Sequence, residues 1–200
     1  MGNFPDIKIG VLALQGDFFE HHDILNKLDI NAQLIKKPDE LEHLDGLIIP
    51  GGESTTICKL IRNYGFEEKI KQCVNSGMGL WGTCAGMITI SKKLKDDYPK
   101  PLGIMDIVVE RNYYGRQVDS FEEKVSIDEL DGEMFNAIFI RAPIIREVGK
   151  SVKILSTHND EIIAAKQDKI LATSFHPELT DDPRIHQYFL KLCNNGKVYG

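Results

Sequence analysis

Long apolar runs are missing from this chain of 200 residues. No stretch approaches the ~18 consecutive apolar residues of a membrane span. The start, Met1-Gly2-Asn3-Phe4-Pro5-Asp6, lacks the basic and apolar regions of a secretory signal. Gly2 invites N-myristoylation, but Asp6 stands where that signal needs Ser or Thr. A basic excess is missing too: 24 Lys and Arg against 30 Asp and Glu leave a net charge of −6. That balance argues against a general binder of nucleic acid or membrane surfaces, which needs a basic face. Cys58, Cys73, Cys84 and Cys193 contain no Cys-x-x-Cys pair, so neither a zinc site nor a disulfide framework is suggested. Gly and Pro, 17 and 8, are too few for a collagen-like or low-complexity chain. The expectation is a cytoplasmic protein with one domain over residues 1–200 and no metal.

What is present is an alternation of apolar runs and amphipathic stretches. Ile7 to Leu14, Ala32 to Ile35, Leu44 to Ile49 and Met78 to Trp81 read as buried strands. Between them Phe18 to Leu28 reads as a helix with Phe18, His21, Leu25 and Leu28 on one face. Ile57, Leu60, Ile61 and Tyr64 also fall at helical spacing, Phe66 to Val74 continues as helix, and Ala85 to Leu94 looks helical again. The second half reads as strands at Ile104 to Glu110, Lys124 to Ile127, Ala137 to Ile140, Val152 to Ser156, Ile162 to Lys166 and Ile170 to Ser174. A closing helix follows Asp181, with Ile185, Tyr188, Phe189, Leu192 and Cys193 as its stripe. This rhythm predicts an α/β fold: a doubly wound, mostly parallel sheet with helices on both faces and an antiparallel extension.

Three stretches can carry chemistry. Gly82-Thr83-Cys84-Ala85-Gly86 joins a strand to a helix start, which puts Cys84 where a nucleophile elbow presents its Ser or Cys. A thiol at that end of a helix feels the positive end of the dipole, which favours thiolate. The other three cysteines read as packing residues. In His176-Pro177-Glu178, proline biases His176 toward extended backbone, so His176 and Glu178 project to the same side. A carboxylate on one imidazole nitrogen and a thiol on the other would form a triad. Pro50-Gly51-Gly52-Glu53-Ser54-Thr55-Thr56 also follows a strand and precedes a helix, and a backbone N–H from it plus that of Ala85 could hold an oxyanion. The plainer reading of this loop is a helix cap made by Ser54 or Thr55. Its phosphate-loop reading is weak, because no Gly-Lys-Ser/Thr ending follows. Arg111 and Arg141 end strands, where an arginine can grip a carboxylate, although spacing alone leaves them as surface charges. His21, His22, His43, His158 and His186 show no metal-ligand spacing and read as surface or packing residues.

Gly10-Val11-Leu12-Ala13-Leu14-Gln15-Gly16, Pro50 to Thr55, Gly82 to Gly86, Arg111-Asn112 with Gly115-Arg116-Gln117, and Phe175-His176-Pro177-Glu178-Leu179 occur in order. With these motifs the chain resembles the class I (triad) glutamine amidotransferases, from Ile7 to the closing helix. It most resembles their vitamin B6 branch, the glutaminase subunits of pyridoxal 5′-phosphate synthases. Trp81 before the elbow departs from the pattern. The resemblance implies hydrolysis of L-glutamine to glutamate and ammonia, with Cys84 as nucleophile, His176 as base and then acid, and Glu178 as its orienter. It further implies an oxyanion hole from the backbone N–H groups of Gly52 and Ala85. Its glutamine-contacting set is Gly52, Glu53, Ser54, Arg111, Ile140 and Arg141. No cofactor is implied. The implied partner is a (β/α)8-barrel synthase subunit that takes the ammonia within a large heteromeric ring; at 200 residues, that synthase is expected on another chain. Two readings stay open beside this one: another thiol hydrolase on the same fold, and a catalytically silent subunit that only regulates a partner.

Overall fold

Strand β1 (Ile9–Leu12) is buried along its whole length, as its unbroken apolar run requires of a central parallel strand. Helix α1 (Phe18–Lys27) follows, then β2 (Gln33–Ile35), β3 (Gly46–Ile49), α2 (Ser54–Asn63) and α3 (Phe66–Asn75). Next come β4 (Gly79–Thr83), α4 (Ala85–Ile90), β5 (Ser91–Leu94) and β6 (Met105–Glu110). The computed structural model describes residues 6–113 and 120–194, so the Gly115-Arg116-Gln117 part of the motif set lies outside the described residues. Beyond that gap run β7 (Ser120–Val125), β8 (Phe135–Ile140), β9 (Ile144–Val148), β10 (Lys153–His158), β11 (Glu161–Gln167), β12 (Ile170–Thr173) and α5 (Arg184–Cys193). Among the described residues, no helix is long and apolar enough to cross a membrane.

The main sheet has the order β2-β1-β3-β4-β12-β11-β9-β6-β5, with β10 paired to β11. The first five strands are mutually parallel. From β12 onward the pairs β12-β11, β11-β9 and β9-β6 are antiparallel, and β5 lies parallel to β6. Strands β7 and β8 form a separate antiparallel ribbon. The expected doubly wound sheet with an antiparallel extension is therefore present. Alternation along the strands divides the core in two. Leu12, Leu47, Ile49 and Leu80 face Ile57, Ile61, Phe66 and Ile70 of α2 and α3. On the other face, Ile9, Val11, Ile48 and Trp81 pack against Leu25 of α1, Ile185 and Phe189 of α5, and Phe135 and Phe139 of the ribbon.

Several sequence expectations are corrected. Helix α4 stops at Ile90 rather than Leu94. Ser91 adopts extended backbone, its hydroxyl donates to the Ile88 carbonyl at 2.9 Å, and Ser91–Leu94 pairs with β6. Pairing to a neighbour thus overrides a helical pattern. Strand β7 begins at Ser120 instead of Lys124; its Ser-Phe-Glu-Glu-Lys sequence hides it because one face of the ribbon is exposed. Strand β9, after Pro143, is absent from the sequence expectations, its Arg146 and Glu147 masking a strand whose first two residues are buried. Helix α2 ends at Asn63, so Tyr64 is exposed rather than on the buried face, where Cys58 takes its place.

Candidate active site

Four adjacent parallel strands, β1, β3, β4 and β12, release their chains at one edge of the sheet, where ligands collect in open α/β folds. Cys84 follows β4 directly, with φ +48° and ψ −103°. An L-residue held in so sparsely populated a conformation marks strain of the kind stored at nucleophile elbows. The elbow requires Gly86, since a Cβ there would lie 1.9 Å from the Ile49 carbonyl oxygen of β3. The Cys84 N–H is tied to the Thr173 carbonyl of β12 at 2.8 Å, and its thiol lies 3.9 Å from the Ile140 carbonyl oxygen.

His176 follows β12, and its N–H donates to the Ile138 carbonyl of the ribbon at 2.8 Å. The side chain is nearly buried. Its Nδ1 meets Glu178 Oε1 at 2.7 Å and lies 3.5 Å from Asp17 Oδ2. Cys84 and His176 line the same hollow, and with Nδ1 engaged by Glu178 the imidazole has Nε2 left for the thiol. Burial opposes charge on His176, but the Cys84 sulfur and the Glu178 carboxylate prevail and hold its pKa above the ordinary imidazole value. Burial also pushes the Glu178 carboxyl up, against the pull of His176. With Nδ1 as donor, the proton between the two sits on the imidazole. Asp17, His176 and Glu178 present ligand atoms within 4.8 Å of one another. A cation there would need the Nδ1 lone pair that the Glu178 hydrogen bond uses as an N–H, so the cluster fits an orienting role rather than a metal centre.

A hollow of about 460 Å³ opens above the cysteine. Gly52, Glu53, Ser54, Cys84, Ala85, Arg111, Ile140, Arg141 and His176 all line it, so every predicted site residue except the deeper Glu178 meets there. Two larger hollows, about 650 and 510 Å³, lie at the opposite, N-terminal edge of the strands and are lined by no cysteine, serine or threonine. The glycine loop enters this site with Gly52 at φ +144°, a backbone state that disfavours any side chain. The Gly51 carbonyl accepts the Asp17 N–H at 3.1 Å, and Gln15 Oε1 accepts the Glu53 N–H at 2.8 Å.

The cap of α2 is Glu53, not Ser54 or Thr55. Its carboxylate accepts the N–H groups of Thr55 and Thr56 at 3.0 and 2.6 Å, and these donors hold its pKa low against the effect of burial. Arg111 leans over it, Nη2 lying 3.9 Å from Glu53 Oε1 while Nη1 donates to the Tyr98 carbonyl at 2.7 Å. The Arg111 Nε is buried and has no hydrogen-bond partner among the described residues. A buried guanidinium N–H left without an acceptor beside a hollow suits an anionic ligand group.

Residues 11–195 match the model of the SNO glutamine amidotransferase family. The chain belongs to that family. A pyridoxal 5′-phosphate synthase subunit PdxT from Dehalococcoides mccartyi is 51% identical over 195 residues, covering 96% of this chain and 100% of its own length. The like-named protein from Thermosipho africanus is 48% identical over 186 residues, 93% of this chain and 98% of its own. A crystal structure of a glutamine amidotransferase superposes with a TM-score of 0.88 at 48% identity, over 92% of this chain and 98% of that one. A more distant glutamine amidotransferase from Thermotoga maritima shares the fold, with a TM-score of 0.59 at 13% identity over 93% of this chain and 94% of that one.

Gln15, Asp17, Ile88 and Asn112 also line the hollow, and sequence reasoning does not single them out as site residues. Gln15 carries a usable signal, since it follows β1 at the same sheet edge as Cys84 and His176. Of the histidines, His21 and His186 do pack inside, but they adjoin the triad: His21 Nε2 lies 3.3 Å from Glu178 Oε2.

Proposed function

We propose that the chain is the glutaminase of a pyridoxal 5′-phosphate synthase, hydrolysing L-glutamine to glutamate and supplying the ammonia to a synthase partner. The observation that carries this reading is the meeting of Cys84, His176 and Glu178 beneath a hollow that Arg111 overlooks. His176 takes the Cys84 proton, and the thiolate attacks the side-chain amide carbon of glutamine. Backbone N–H groups of Ala85 and Gly52 hold the resulting oxyanion. His176 returns its proton to the departing nitrogen as ammonia leaves, giving a thioester. Water, deprotonated by His176, then releases glutamate and restores the thiol. Arg111 and Arg141 hold the glutamine carboxylate, with Glu53, Ser54 and Ile140 as neighbours on the wall. The Arg111 Nε, without a partner among the described residues, supports that assignment.

Residues 1–200 act as one cytoplasmic glutaminase unit, and the partner is a (β/α)8-barrel protein carried in a large heteromeric ring. No cofactor is required for the steps on this chain. Ammonia release from glutamine, measured with and without that synthase, tests substrate, reaction and partner together. The synthase is expected to raise the rate, and Cys84→Ala is expected to fold and release none. Equal rates in both assays would remove the partner from the reading; turnover by Cys84→Ala would remove the mechanism.

A further inference from the structure

Behind the triad lies a row of polar groups that hydrolysis as described does not use. Glu178 spends Oε1 on His176, and its Oε2 is buried with no well-formed hydrogen bond among the described residues. It faces His21 Nε2 at 3.3 Å. That nitrogen also lies 3.2 Å from Thr83 Oγ1, next to the nucleophile. The other nitrogen of His21, Nδ1, meets His186 Nε2 at 2.9 Å, and both imidazoles are fully buried. Trp81 closes the cluster, with its ring centroid 5.4 Å from that of His21 and 4.9 Å from that of His186. The row therefore joins α5, α1, β4 and the segment after β12.

The hydrogen-bond arithmetic selects one arrangement. If His21 carried its proton on Nδ1, a bare Nε2 lone pair would face the Glu178 carboxylate. His186 would then need its proton on Nδ1, which is buried without a partner among the described residues. An unpaired buried donor costs about 1–3 kcal/mol. In the reverse arrangement His186 Nε2–H donates to His21 Nδ1, and His21 Nε2–H points between Thr83 and Glu178. Only a lone pair of His186 is then left over. Burial disfavours charge on both rings, in keeping with a neutral pair.

We propose that His21 is a positioning residue for the triad: His186 fixes its tautomer, and its Nε2–H keeps the Glu178 carboxylate ionised and turned toward His176. The charged groups around that carboxylate are His176 and, opposing it from the loop after β1, Asp17; His21 faces it as a neutral donor. Without the His21 donor, burial favours the neutral carboxyl, His176 loses its anionic neighbour, and its pull on the Cys84 proton weakens. The catalytic part of this inference rests on the glutaminase reading above.

The test compares His21→Met, which keeps bulk and loses the donor, with His21→Gln, whose amide can present an N–H at similar reach. Two readouts are taken on the full chain with its synthase: kcat and KM for glutamine, and the pH profile of Cys84 alkylation by iodoacetamide, located by peptide mass. His21→Met is expected to lower kcat by about 10- to 100-fold with KM nearly unchanged, and to move the alkylation profile to higher pH. His21→Gln is expected to recover most of both. A His21→Met protein with wild-type kcat and profile, whatever its melting temperature, overturns the proposal. Should that variant not fold, His186→Met removes only the donor that sets the tautomer, and a wild-type alkylation profile in it is equally fatal. If the wild-type complex releases no ammonia, the glutaminase reading fails, while the alkylation comparison still decides the role of His21.

Discussion

Cys84 is the most strained residue of the proposed triad. Its φ of +48° with ψ −103° is sustained by the Thr173 hydrogen bond and by β3 pressing on Gly86. Such a conformation costs about 1–3 kcal/mol in an L-residue, and glycine is relieved of most of it. Cys84→Gly is therefore expected to unfold at higher urea than Cys84→Ala, by about 1 kcal/mol, while both release no ammonia. Equal midpoints would mean that the elbow stores no strain. At this scale the sequence is most readable where function sits in contiguous residues. Gly-Thr-Cys-Ala-Gly and His-Pro-Glu announce themselves because each is local geometry, although Glu178 reaches His176 from a short 3-10 turn (Pro177–Leu179) rather than from the extended backbone expected. Asp17 and His21 do not, because their meeting with His176 and Glu178 depends on α1 docking beside β12's exit loop. Nothing in Asp17-Phe18-Phe19-Glu20-His21 differs from an ordinary helix start.

Among the elements, α2 links capping to binding. Ser54 and Thr55 are the expected caps by residue type, yet Glu53 performs the task with two backbone N–H groups and the Thr56 hydroxyl at 2.8 Å. Its longer side chain reaches over the first turn and still leaves Oε1 beside Arg111. Glu53→Ala is expected to cost about 1 kcal/mol in chemical unfolding through loss of the cap. It should also raise KM for glutamine, because Arg111 loses a restraining neighbour. A variant that loses stability but keeps its KM would confine Glu53 to capping. The parallel strands are legible because burial on both faces writes them as unbroken apolar runs, as in Gly46–Ile49. Strands β5, β7 and β9 are obscured for the opposite reason: each has an exposed face or edge, so its identity rests on a partner strand rather than on its own pattern.

At the level of the whole molecule, the site is the place where both packed faces of the sheet meet its C-terminal edge. The cysteine is carried by α4 on one face, while the imidazoles behind Glu178 belong to α1 and α5 on the other. With the role proposed for His21, this arrangement ties catalysis to global stability through His21 and His186. Burial lowers both pKa values, that of His21 with help from His186 and His176, and that of His186 to about 3. In the unfolded chain both rings take up protons below about pH 6.5, whereas in the folded chain they do not. The unfolded state thus binds more protons in that window. Stability is fully present above about pH 6.5 and falls as the pH drops toward about 3. Each ring contributes a slope of up to about 1.4 kcal/mol per pH unit. Urea unfolding at pH 7 and pH 5 checks this in wild type and His186→Met. The variant should be less stable at pH 7, but its loss between the two pH values should be smaller by about 1–2 kcal/mol, since one buried ring no longer titrates. The comparison of slopes cancels the packing cost of the substitution, so an identical loss in both proteins would mean that His186 is protonated without hindrance in the folded state.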